Sequence, residues 1–213
     1  MKYGESSFDI LYLIFTICAG IYILIKQKNK AEKYMGLATL ILGLGDSFHL
    51  IPRVINYFSD KDMTVYLGVG KLVTSLTMTI FYLLLYYVYL EHYKENEDKK
   101  LTISLYVLCL LRFILCLLPQ NHWLTNEGSI SFGLIRNIPF IIIGVIIIVL
   151  FYKVRNKDKI LKNTWLLVLL SFLFYIPVAV FASIVPMLGM LMLPKTVCYI
   201  LMVVSFIKFL KAN

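Results

Sequence analysis

Charge is what this chain has least of. Of its 213 residues only 15% are Asp, Glu, Lys or Arg, where an ordinary soluble domain carries about a quarter. It also has no low-complexity run, internal repeat or long polar linker. A chain this poor in charge cannot keep a folded surface in water. That excludes a cytosolic enzyme, a nucleic-acid reader and a nucleotide fold built on strands and a glycine loop. The four cysteines, Cys18, Cys109, Cys116 and Cys198, all fall inside apolar stretches. There a thiol serves as a small polarisable hydrophobe, and no disulfide is expected. Of the three histidines only His49 lies within such a stretch. Intramembrane zinc chemistry needs several ligands, so neither a metal nor another cofactor is expected.

What is present is apolar: 60% of residues are hydrophobic and the mean hydropathy is +0.82. Seven stretches approach or exceed the roughly 20 residues that cross a bilayer. They run over residues 8–25, 34–58, 65–90, 101–118, 133–152, 164–185 and 187–209. The expected fold is all-α, a single polytopic seven-transmembrane helix bundle. The net charge of +9 has to be read by position. The first, third and fifth connectors and the chain end hold fourteen Lys and Arg residues, and the opposite side holds two, Lys2 and Lys61. The positive-inside rule then puts the N-terminus outside and the C-terminus inside. The expected location is the cell membrane, as a multi-pass protein of a bacterial cytoplasmic membrane, with membrane lipids as partners. No nucleic acid is expected, and nothing in the sequence names a protein partner. The first stretch lacks a small-residue cleavage pattern and is followed by its basic cluster, so it is read as a retained helix. The outer loop over 120–132, with Trp123, Asn126 and Glu127, is either an interfacial anchor or a lid over an outer opening.

The informative residues are the ionisable ones inside the spans, because burying charge in a bilayer costs a few kcal/mol or more. They are Asp46, His49 and Arg53 on the second span, Lys71 on the third, Arg112 on the fourth, Arg136 on the fifth and Lys195 on the seventh. Asp46 sits nearest the midplane, and all five cations fall in the outer half. Long basic side chains can snorkel to headgroups, yet that account does not explain why five of them choose the side the positive-inside bias avoids. Convergence on one pocket does. Asp46, His49 and Arg53, spaced by three and four, share a helix face. So do Lys71, Thr74, Ser75 and Tyr82, and Lys195 is followed by Cys198 and Tyr199. Five cations against one carboxylate call for an anion or for water in an outward-opening cavity. The expected ligand-binding residues are Arg53, Lys71, Ser75, Tyr82, Arg112, Arg136, Lys195 and Tyr199. Pro52, Pro139, Pro177 and Pro194 interrupt spans and free backbone carbonyls there. Gly43, Gly45, Gly68 and Gly70 suit close helix contact.

Gly43-Leu44-Gly45-Asp46-Ser47-Phe48-His49 resembles the Gly-Asp-bearing helix of the YhhN/TMEM86 (lysoplasmalogenase-like) membrane protein family. The segment Gly70-Lys71-Leu72-Val73-Thr74-Ser75 is similar in spacing to the helix that follows it there, so the resemblance covers about a quarter of the chain. It implies hydrolysis of a lysophospholipid vinyl ether, with Asp46 as catalytic proton donor and His49 as relay. This sequence departs from the family pattern in having no carboxylate in its fourth to seventh spans. Cations near Asp46 would also favour its ionised form over the acid. The alternative is a non-enzymatic seven-helix receptor or transporter that binds an anionic metabolite or lipid through the same cations.

Overall fold

The computed structural model describes residues 2–125, 130–181 and 185–212. It consists of seven long helices: α1 (Lys2–Lys26), α2 (Lys30–Phe58), α3 (Thr64–Tyr93), α4 (Lys99–Leu117), α5 (Ile130–Val154), α6 (Thr164–Phe181) and α7 (Met192–Ala212). Short 3-10 turns cover Pro119–Asn121 and Pro186–Leu191, and no strand occurs among the described residues. Seven segments are long and apolar enough to span a membrane, which makes this a multi-pass helical membrane protein.

Each helix packs on its chain neighbours, and α1 closes the ring against α7. Helix α3 runs through the middle, touching α5 as well, with Phe81, Tyr82, Leu85, Tyr86 and Val88 fully buried. Gly70 sets how closely α3 approaches α2, because a Cβ there would overlap the Phe48 carbonyl and lie 2.7 Å from His49 Cα. The Thr74 hydroxyl crosses the same contact and donates to the Gly45 carbonyl (3.1 Å).

Several helix boundaries differ from the sequence reading. Helix α1 starts near residue 2 instead of 8. The added turns carry Glu5, which suits the positive end of a helix, and bury Ser6. Helix α6 is described as far as Phe181, and residues 182–184 of its expected span lie outside the described residues. The seventh span, expected from 187, opens with the 3-10 turn, since Pro186 has no N–H to carry an α-helix through. Pro194 lies in the first turn of α7, where proline is tolerated, and does not interrupt the helix. Pro52, Pro139 and Pro177 are true helix-interior prolines.

The end with the basic connectors is built from paired charge. Asn29 accepts the Glu32 N–H (2.9 Å), while the Glu32 carboxylate accepts the Lys28 N–H (2.5 Å), a reciprocal cap on α2. Asp98 caps α4. Asp158 accepts the Ile160 N–H (2.6 Å) and pairs with His92 (2.7 Å), and Lys157 pairs with Glu95 (2.6 Å). The ionisable residues of the spans gather at the other end.

Candidate ligand cavity

A cavity of about 590 Å³ opens where α2, α4 and α6 end and α3, α5 and α7 begin. Arg53, Lys71, Arg112, Arg136 and Lys195, from five different helices, line it together with His49 and Ser75.

The strongest feature is Arg112. Its residue is 1% exposed, and one terminal guanidinium nitrogen donates to the Arg136 carbonyl and to Asn137 Oδ1 (2.8 Å). The guanidinium lies 4.4 Å from the Phe140 ring centre, a cation–π contact that is favourable when desolvated. Arg136 lines the same cavity. It stacks 4.3 Å from the Trp123 ring centre and donates to Asn121 Oδ1 (2.5 Å). Both arginines keep a buried Nε–H with no acceptor among the described residues. Lys195 Nζ lies 4.5 Å from the ring centre of Tyr175 and 5.6 Å from that of Tyr199. Among the described residues none of these three cations has a carboxylate within 4 Å. Asp46 is the carboxylate within electrostatic reach of Lys195.

Local chemistry fixes this arrangement. The end of α4 leaves carbonyls without helical partners. Asn121 Nδ2 donates to those of Leu115 (2.8 Å) and Leu118 (2.8 Å), and Trp123 Nε1 donates to that of Cys116 (2.8 Å). The indole is therefore held in the cavity wall. A Cβ on Gly68 would collide with the Trp123 carbonyl oxygen, so the loop rests directly on α3. Asn126 and Glu127 lie outside the described residues. Asn137 is the hub of the opposite wall: its Oδ1 accepts from Arg112 and from the Tyr175 hydroxyl (2.8 Å), and its Nδ2 donates to the Gly133 carbonyl (2.9 Å).

A second polar sector lies between α1 and α2. Arg53 forms an ion pair with Glu5, whose other oxygen accepts the Tyr57 hydroxyl (3.0 Å). Asp46 accepts the Tyr12 hydroxyl (2.7 Å), and Asp9 is 4% exposed with a buried Oδ2 that has no donor. The expectation of five cations against one carboxylate is therefore corrected. Glu5 and Asp9 add two acids at this end, and Glu5 neutralises Arg53.

The sequence-selected residues divide accordingly. His49, Arg53, Lys71, Ser75, Arg112, Arg136 and Lys195 line the cavity, while Asp46, Tyr82 and Tyr199 are not part of its wall. Tyr82 shares hydroxyl contacts with Ser171 and Tyr199 (both 3.2 Å) in the packed core, with Phe140 against its ring at 5.3 Å. Phe140 itself lines the cavity, so its ring stands between the cavity and that hydroxyl group. The Ser75 hydroxyl donates to the Lys71 carbonyl (2.8 Å), leaving it as an acceptor only. His49 Nδ1 is buried without a partner. Sequence reasoning passed over Glu5, Asp9 and Tyr12, although spacings of four and three put all three on one face of α1. It also passed over Tyr175, which carries no charge to flag it, and noted Asn137 only as a polar group beside the Pro139 kink. Compared with family models, curated proteins and solved structures, the chain matches none of them.

Proposed function

We propose that this membrane protein binds an amphiphilic anion, a lipid or lipid-like metabolite, with its acidic head held among Arg112, Arg136 and Lys195 and its cavity facing outward. The observation that carries the reading is Arg112, a nearly inaccessible guanidinium with no carboxylate within 4 Å among the described residues, next to Arg136 and Lys195, which also have none that close. Cations withdrawn from water need an opposite charge or strong acceptors. Helices α4 to α7 contain no Asp or Glu to provide one. Planar guanidinium donors suit phosphate and carboxylate oxygens.

Vinyl ether hydrolysis, which the resemblance implies, needs a proton donor at the reacting carbon. Asp46 stands outside the cavity wall and is engaged by Tyr12. This favours binding, by a receptor or a carrier, over turnover.

The test is a melting curve of the purified protein in neutral detergent with increasing lysophosphatidic acid. Stability should rise with the logarithm of its concentration, and lysophosphatidylcholine of equal chain length should give a much smaller shift. Equal shifts with both lipids would reject the cationic site. Aldehyde released from a lysoplasmalogen, and abolished in Asp46→Asn, would favour the hydrolase instead.

A further inference from the structure

Helices α5 and α6 share a local arrangement. Each has a polar residue two positions before an interior proline: Asn137 before Pro139 and Tyr175 before Pro177. The two polar residues meet, the Tyr175 hydroxyl donating to Asn137 Oδ1 (2.8 Å). The cationic cavity lies on one side of this hydrogen bond. A second space of about 230 Å³ borders the same two residues and Ala179. Its remaining lining is apolar, with Leu134, Ile138 and Ile141 from α5 facing Ile176 and Val180 from α6. Leu134 and Ile138 are also exposed on the bundle perimeter, which faces hydrocarbon in a bilayer. The groove thus links the lipid-facing surface to the cavity wall. The two polar groups at its inner edge are already satisfied by each other and, at Asn137, by Arg112.

We infer that this groove holds the single alkyl chain of a lysophospholipid whose phosphate sits among the cavity cations, and that the ligand arrives sideways from the bilayer between α5 and α6. The inference rests on the anion-binding reading above and adds the chain's place, its number and its route. Continuity argues for the route, since Asn137, Tyr175 and Ala179 form part of both linings. Composition argues for the occupant: an apolar slot bordered by paired polar groups suits methylenes and repels a hydrated solute. One slot between two helices suits one chain. Two guanidiniums and an ammonium suit the several oxygens of a phosphate better than the two of a fatty-acid carboxylate. The interior prolines contribute as well, because each removes a backbone hydrogen bond at this level and leaves α5 and α6 easier to part.

The experiment uses the full-length purified protein and a lysophosphatidic acid carrying a diazirine at the end of its chain. Irradiation should label peptides of α5 and α6 around Ile138, Ile141 and Val180, and unmodified lysophosphatidic acid should compete the label away. Competed label confined to α1–α4 would overturn the chain's placement and leave the cationic site standing. Absence of any competed label would remove both. Val180→Trp, which fills the groove, supplies a second measurement. It should reduce the affinity ratio of dodecyl lysophosphatidic acid to glycerol 3-phosphate by about tenfold, a difference of about 1.4 kcal/mol, with glycerol 3-phosphate affinity unchanged. An unchanged ratio would contradict the inference, as would lauric acid binding as tightly as dodecyl lysophosphatidic acid.

Discussion

Arg53 and Arg112 lie at the same end of the bundle and line the same cavity, yet their surroundings are opposite. Arg53 meets Glu5 from α1 and Tyr57 from the next turn of its own helix. Arg112 meets a carbonyl, an amide and a phenyl ring, and no acid among the described residues. The depth of a basic residue in a span therefore does not decide its role; the carboxylates within its reach do. The α1–α2 sector is a closed electrostatic unit that ties two helices together. The α4–α5–α7 sector has its donors directed at one another's backbone and at a shared opening, which is the arrangement an anion would complete.

Substitutions can break this contrast, and the largest effect is expected at Arg112. Arg112→Met should weaken lysophosphatidic acid about 100-fold in a calorimetric titration, since hydrogen bonds to charged groups contribute about 1.5–3 kcal/mol each. A change below threefold would place the head elsewhere. Glu5→Gln should do the reverse. It should cost about 2 kcal/mol of stability, because it strands a largely shielded Arg53, and leave anion affinity within about twofold. Tyr12→Phe removes the donor to Asp46 and should lower stability by about 1 kcal/mol, read as a drop in melting temperature without a change in affinity. The smallest effect belongs to Asp62, in the connector before α3. Its carboxyl is held below the usual range by hydrogen bonds from the Thr64 side chain and N–H. A depressed folded-state pKa contributes stability above the unfolded value and loses it as pH falls through the folded one. Asp62→Asn should therefore lower the melting temperature slightly at neutral pH and leave it unchanged at acid pH, so that the acid side of the profile flattens.

Much of this architecture is legible in the chain. Seven apolar runs of membrane length identify the spans, because hydrocarbon enforces helices that satisfy their own backbone. The five intramembrane cations stand out because charge is so scarce there, and all five line one cavity. Other parts depend on contacts that sequence spacing does not encode. Hydropathy starts the first helix at Phe8, which hides Glu5 and with it the face that Glu5 shares with Asp9 and Tyr12. Asn137 becomes a hub only because α4 brings Arg112 and α6 brings Tyr175 to it. The direction of Trp123 follows from the uncapped end of α4, a local demand that composition alone assigns to the lipid interface. Asp46 and His49 are neighbours in sequence on one helix face, yet only His49 reaches the cavity wall, since Tyr12 engages the acid from α1.

Native mass spectrometry of the protein released from its own membrane in mild detergent tests the central claim most directly. The account predicts one anionic lipid carried through purification by the wild-type chain and lost from Arg112→Met/Arg136→Met/Lys195→Met, with Arg53→Met retaining it. A wild-type chain that flies without lipid, or a lipid adduct that persists in the triple variant, would contradict it.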